Sequence, residues 1–155
     1  MSDDIINRIR KLSQLYAYTS IQMHEAIAHK AGFTGTDHKY LGFFIQKGSM
    51  TAGELSNLTG LTTGAVTGLI DRFEKKRMVK RQFDKDDRRK IIIVPDTKKI
   101  MAIFEPLYKE FRSNSEKLTA TFTDKEIKII ETYFLKAIEI MNETTHKLTK
   151  NNRKI

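Results

Sequence analysis

Leu58-Thr59-Gly60-Leu61-Thr62-Thr63-Gly64-Ala65-Val66-Thr67-Gly68-Leu69-Ile70-Asp71-Arg72-Phe73-Glu74-Lys75 is the stretch whose pattern decides the fold. Thr59-Gly60-Leu61 reads as a tight turn between two helices, the second starting at Thr62 or Thr63. Val66, Leu69, Ile70 and Phe73 follow the i, i+3, i+4, i+7 spacing of one buried face. The opposite face offers only hydroxyls and hydrogens: Thr62, Thr63, Gly64, Thr67 and Gly68. A helix that enters the DNA major groove needs such a slim leading face, with hydrogen-bonding groups near its N-terminus. The free N–H groups of its first turn also favour phosphate. Small residues serve close helix–helix packing equally well, so the neighbouring sequence has to decide.

It decides through charge. The 155-residue chain carries a net charge of +9. Residues 1–71 net zero and residues 91–146 net −1, whereas residues 72–90 hold ten basic and four acidic side chains and residues 147–155 four basic ones. A concentrated basic patch is the footprint of a polyanion, nucleic acid first and an anionic membrane surface second. After Met78 the apolar period shortens. Val79 to Phe83 and Ile91 to Val94 flank Asp84-Lys85-Asp86-Asp87-Arg88-Arg89, the pattern of a two-stranded hairpin with a charged tip. Arg72 and Lys76 stand at the end of the preceding helix, and Arg88, Arg89 and Lys90 at the tip, where an arginine suits the strong negative potential of a minor groove. Asp86 and Asp87 fit a polyanion-binding tip if a carboxylate orients a guanidinium through a bidentate pair.

Working outward, Ile5, Ile9, Leu12, Tyr16, Thr19, Met23 and Ile27 mark one long amphipathic helix ending near Gly32. A second helix is expected from Asp37 to Gly48, capped by Thr36, with Tyr40, Leu41, Phe44 and Ile45 buried. Thr51 and Glu54 form a capping box for a brief third helix carrying Leu55 and Leu58. Pro95 should stop the second strand and Asp96 cap the next helix. That helix bears Ile100, Phe104, Leu107, Phe111 and Leu118, with a kink or restart at Pro106. Thr123 with Glu126 is another capping box. It opens a last helix with Ile127, Ile130, Phe134, Ile138, Met141 and Leu148 on one face. The expected fold class is mainly α: a winged helix-turn-helix with a two-stranded wing and long N- and C-terminal dimerisation helices. The whole of 1–155 reads as a single domain, with 36–95 the DNA-binding lobe and 1–32 and 96–150 the helical dimerisation region.

Several classes drop out. With no cysteine there is no disulfide, thiolate zinc site, iron–sulfur cluster or cysteine nucleophile. No glycine-rich phosphate loop, Gly-x-Ser-x-Gly elbow or zinc-protease spacing occurs, so no catalytic residue and no enzyme is expected. His24 and His29 are five apart, about 140° around a helix rather than on one face. Glu25 and His29 have the better i, i+4 spacing, but no metal and no cofactor is expected, and His24 or His29 reads as a polar residue near a helix interface. The opening Met1-Ser2-Asp3-Asp4 is acidic where a secretory signal would be basic, and no apolar run approaches the ~20 residues of a membrane span, so the expectation is cytoplasmic.

The stretch from Leu58 to Lys75, followed by Asp84-Lys85-Asp86-Asp87-Arg88-Arg89-Lys90, resembles the MarR family of bacterial winged-helix transcription regulators. The family's wing motif is Asp-x-Arg before a short apolar strand, filled here by Asp86 and Arg88, and the helix order extends the likeness over nearly the whole chain. Two positions depart from it. Arg77 stands where many members have a glycine ending the recognition helix, and Val94-Pro95 where Leu-Thr is commoner. The resemblance implies an obligate homodimer, and the long terminal helices support one independently, being too many to bury against a small winged core. It also implies a small-molecule effector, often aromatic or anionic, of unknown identity and with no pocket residue legible here.

The function expected is a sequence-specific double-stranded DNA-binding regulator on a pseudopalindromic operator, a ligand-responsive homodimeric repressor. The alternatives are an activator or an architectural DNA-binding protein without ligand, and further off a basic peripheral-membrane protein resting on the tail Lys147 to Lys154. The DNA-binding residues expected are Thr62, Thr63, Gly64, Thr67, Gly68, Arg72, Lys76, Asp86, Arg88, Arg89 and Lys90.

Overall fold

The computed structural model describes residues 3–151, the last two by their backbone alone. In chain order its elements are α1 (Asp3–Lys30), α2 (Gly35–Lys47), β1 (Met50–Thr51), α3 (Ala52–Thr59), α4 (Thr63–Lys75), β2 (Val79–Phe83), β3 (Ile91–Pro95), α5 (Thr97–Thr119) and α6 (Asp124–Asn151). The chain divides into two compact units between Tyr108 and Lys109.

The first unit holds the core. Phe44, Leu55, Val66, Leu69, Ile70 and Phe73 are fully buried, and α2, α3, α4 and the sheet supply most of their neighbours. Burying a leucine or phenylalanine side chain stabilises a fold by about 1.5–3 kcal/mol, so the apolar face of α4 is its strongest anchor. The sheet is antiparallel in the order β1-β3-β2, with Val79 opposite Pro95 and Phe83 opposite Ile91. It has three strands, not the two expected. Met50 and Thr51 pair with Ile93 and Ile92, but two residues are too few to show an alternation in sequence. Pro95 ends β3 as its last residue, beyond the reach of β1, where a missing N–H breaks no pairing with that strand.

The helix ends follow local chemistry. α2 starts two residues earlier than expected, because Thr34 rather than Thr36 is its cap, its hydroxyl accepting from the Asp37 N–H at 3.0 Å. Gly35 sits where a Cβ would lie 2.6 Å from Cγ of Glu25, so glycine there permits the close approach of α2 to α1. The expected box on α3 is present: the Glu54 N–H donates to the Thr51 hydroxyl and the Thr51 N–H to the Glu54 carboxylate at 2.7 Å. Asp96 caps α5 by accepting from the Lys99 N–H at 3.0 Å. α5 runs unbroken through Pro106. Ala102, which loses its bond to residue 106, is exposed, so water can take its carbonyl.

α4 ends in a left-handed residue that is not glycine. Arg77 has φ 56°, the one positive value at a non-glycine among the described residues. The Met78 N–H bonds to the Phe73 carbonyl and the Arg77 N–H to the Glu74 carbonyl, both at 2.8 Å. That pair is the Schellman closure, and buried Met78 and Phe73 are its apolar partners. The left-handed cap that a glycine would favour is therefore kept without one.

The second unit contains the rest of α5 and all of α6. Thr123 and Glu126 form the expected capping box. Phe134, Ile138, Met141 and Leu148 of the α6 stripe are exposed, and in the first unit so are Ile5, Ile9, Leu12 and Tyr16 of α1.

Candidate nucleic-acid interface

α3, the turn at Gly60 and α4 form the helix–turn–helix. Gly60 takes φ 71°, and its N–H closes on the Ser56 carbonyl at 2.8 Å. The Ser56 hydroxyl donates to the Leu61 carbonyl at 2.7 Å, fixing the turn from inside. Thr62 caps α4, its hydroxyl accepting from the Ala65 N–H at 3.4 Å, so that oxygen is already committed to the helix. The Thr67 hydroxyl donates to the Thr63 carbonyl at 3.0 Å and keeps lone pairs for an incoming donor. Thr63 is exposed, and its hydroxyl has no partner among the described residues.

Gly64 and Gly68 separate the two explanations of the small face. A Cβ at either would meet nothing within 4 Å. Nothing among the described residues packs there, so their packing does not call for glycine. Glycine inside a helix costs about 0.5–1 kcal/mol relative to alanine. The chain carries that cost on a face kept slim toward the outside.

The basic residues divide into two groups. Arg72 is tied down: its guanidinium meets the buried Asp37 carboxylate of α2 at 3.0 Å while remaining half-exposed itself. Lys76 turns to α1, donating to the Gly32 carbonyl at 2.5 Å and lying 3.9 Å from the centre of the Phe33 ring, a cation at a helix C-terminus. Both are among the DNA-binding residues expected from the sequence; a side chain's partner 35 or 44 positions away leaves no mark in a charge count. Arg81, not singled out from the sequence, bridges β2 to Asp71 and Glu74 of α4. Its proton is held above the ordinary arginine range, chiefly by the hydrogen bond to Asp71.

The wing also departs in detail. The carboxylate that engages an arginine is Asp87, accepting at 3.2 Å from Nε of Arg89 and at 3.1 Å from its backbone N–H. The Asp-x-Arg spacing occurs twice in Asp86-Asp87-Arg88-Arg89, and the pairing falls on the second copy, as a single-oxygen contact rather than a two-pronged one. The Arg89 side chain and N–H hold the Asp87 carboxyl below its usual range. Asp84 orders the tip, accepting from the Asp86 and Asp87 N–H groups at 2.8 and 3.2 Å. The Asp86 carboxylate pairs with neither arginine. Arg88 is exposed, with no hydrogen bond or ion pair among the described residues, and Lys90 is exposed beside it.

Elsewhere in the first unit, His24, His38 and Tyr108 meet where α1, α2 and α5 adjoin. The Tyr108 hydroxyl contacts Nδ1 of His24 and lies 3.0 Å from Nε2 of His38. Burial first, then the neighbouring His24, push the His38 imidazole below its ordinary 6.5. His24 is thus a polar residue at a helix interface. No group of three or more histidine, aspartate or glutamate side chains arranged for a metal occurs among the described residues. None of their helices is long and apolar enough to cross a membrane. Of the tail, Lys147 lies 3.8 Å from Glu143, whereas Arg153, Lys154 and the Lys150 side chain lie outside the described residues.

A helix–turn–helix with a hairpin directly after its second helix is a winged-helix DNA-binding lobe. The comparisons agree. A family model described as MarR family matches residues 31–90. YcgE of Bacillus subtilis, described as an uncharacterized HTH-type transcriptional regulator, is 39% identical over 132 residues, covering 83% of each chain. A MarR family protein from Bacillus stearothermophilus has a solved structure that matches with a TM-score of 0.72 at 25% identity, over 92% of this chain and 99% of that one. Apo wild-type MarR of E. coli matches with a TM-score of 0.58 at 22% identity, over 83% of this chain and 93% of that one. The chain belongs to the MarR family and is a DNA-binding transcription regulator.

Proposed function

We propose that the protein is a ligand-responsive homodimeric repressor, acting in the cytoplasm on a pseudopalindromic operator. In this reading residues 36–95 form the DNA-binding lobe and residues 1–32 and 96–150 the dimerising region. Thr62, Thr63, Gly64, Thr67 and Gly68 enter the major groove, with Thr63 and Thr67 reading base edges and Thr62 holding the helix end. Arg88 enters the adjacent minor groove, with Arg89 and Lys90 on its phosphates. Arg72, Lys76 and Asp86 border the interface and shape it rather than read it. The observation that carries this is the uncovered glycine face of α4, which has a cost in helix stability and no packing reason among the described residues.

Exposed apolar stripes on α1 and α6 support the dimer, since contiguous exposed apolar surface of that kind marks an interface. Two heads on a two-fold axis would read half-sites about 34–36 Å apart. The half-buried group of His24, His38 and Tyr108 supports an effector that binds beside α1, α2 and α5. Repression follows from occupancy, because a dimer across a promoter excludes polymerase.

The test combines selection of bound genomic fragments with transcription from a recovered promoter. Repression predicts output falling as protein is added, and a rise would identify an activator instead. Thr63→Ala and Thr67→Ala should weaken the recovered site by about 1–3 kcal/mol more than random duplex if each removes a hydrogen bond to a base. Equal effects on both duplexes would remove these threonines from base reading.

A further inference from the structure

Arg81 is the one arginine of the basic segment whose guanidinium joins two elements of the interface. On β2 it shares a sheet face with Val79, which is buried in the core, because side chains alternate along a strand. From that face it reaches α4 three ways: its N–H donates to Oε1 of Glu74 at 2.7 Å, Nη1 donates to Oε2 of the same carboxylate, and Nη2 donates to Oδ1 of Asp71 at 2.6 Å. Asp71 stands one and two turns beyond Thr67 and Thr63, so the line of small hydroxyl residues on α4 ends in this carboxylate.

Two readings of such an arginine make different demands. As a phosphate ligand it would have to release both carboxylates and leave them bare beside the DNA backbone, which like charge opposes. As a brace it neutralises them while fixing the hairpin to the helix. The forked guanidinium suits the second task, since its rigid plane spans two carboxylates where a point-charge ammonium cannot. Only 33% of its side chain is exposed, against 92% for Arg89 at the tip.

We propose that Arg81 is a positioning residue that sets the wing at a fixed angle to the recognition helix, so that α4 and Arg88 can occupy neighbouring grooves at the same time. Arg81 itself does not touch DNA. The proposal rests on the reading of α4 and the wing as the DNA-binding surface. It adds the coupling between them: without Arg81 the wing leaves its groove while α4 stays in its own.

The experiment is a salt titration of operator binding by the full-length protein, using wild type, Arg81→Ala, Arg81→Lys, the wing pair Arg88→Ala with Arg89→Ala, and the triple alanine variant. Thermal melting of each is the check on folding. The slope of log affinity against log salt falls by about 0.9 for each phosphate that the protein no longer neutralises. The expected result is that Arg81→Ala lowers the slope at least as far as the wing pair does, that the triple variant lowers it no further than Arg81→Ala alone, and that Arg81→Lys behaves as Arg81→Ala although its charge is kept. Hydroxyl-radical protection should vanish in the outer minor groove of each half-site and persist along α4's major groove, a pattern that general destabilisation would not give. A drop of about one phosphate that adds to the wing pair's effect, or a wild-type slope for Arg81→Lys, overturns the positioning role and makes Arg81 a DNA ligand of its own or no participant. A wing pair with wild-type slope overturns the wing reading itself, and the positioning role with it.

Discussion

Replacing Arg77 by glycine should stabilise the protein. Arg77 sits at φ 56°, close to the centre of the left-handed region, where a residue with a Cβ pays about 1–2 kcal/mol. Glycine removes that strain but gives the unfolded chain extra freedom worth about 0.4–1 kcal/mol. The net expected gain is about 0.5–1 kcal/mol. The Arg77 side chain is exposed and makes no hydrogen bond or ion pair among the described residues, so its removal sacrifices no partner. In a chain of this length the gain corresponds to a rise of about 1–4 °C in melting temperature. The assay is thermal unfolding at one fixed protomer concentration, because the melting point of a dimer depends on concentration. Arg77→Ala is the control. It removes the same charge and length but keeps the Cβ, so the difference between the glycine and alanine variants isolates the backbone. Glycine melting no higher than alanine would refute the claim that the Schellman closure of α4 is strained.

Three further outcomes are expected. The folded-state value of His38 lies below its unfolded 6.5, mainly through burial and then through His24. The unfolded chain therefore binds more protons in this range, and stability should fall as the pH drops through 6.5 toward the lowered value. His38→Gln should flatten that segment of a melting-temperature profile, and an unchanged profile would mean the imidazole is not responsible. Arg72→Ala strips the buried Asp37 of its ion pair and should destabilise by about 1–3 kcal/mol in denaturant unfolding without DNA, whereas a change near zero would make the pair ornamental. Ile138→Glu places a charge in the exposed apolar stripe of α6 and should shift sedimentation from dimer toward monomer, while an unaltered dimer would remove that stripe from the interface.

Much of this was legible in the sequence because it is written locally. The capping boxes at Thr51 and Thr123, the turn at Gly60 and the i, i+3, i+4, i+7 face of α4 each depend on residues within a few positions of one another. What stayed hidden depends on distance or on near-equivalent choices. The cap of α2 fell to Thr34 rather than Thr36 because two hydroxyls two positions apart look alike until the chain direction is known. β1 was too short to alternate. Asp87 took the wing arginine in place of Asp86, one position along the same motif. The meeting of Tyr108 with His24 and His38, 84 and 70 residues away, and the ties of Lys76 to Gly32 and Arg72 to Asp37 leave no periodic trace. Charge density marked the segment that holds the end of α4 and the wing. It could not tell which cations face outward and which are already held inside.

The threonine and glycine face of α4 is proposed to lie against the bases. Gly64 tests it most directly, being exposed with open space where a Cβ would stand. Gly64→Leu replaces a poor helix former with a good one and should leave the melting temperature unchanged or raise it. The measurement is competition binding of the wild type and this variant to the recovered operator against random duplex. The expected variant folds as well as the wild type but has lost its preference for the operator, because the leucine blocks entry to the groove. A folded Gly64→Leu that binds the operator with undiminished affinity and preference would contradict it.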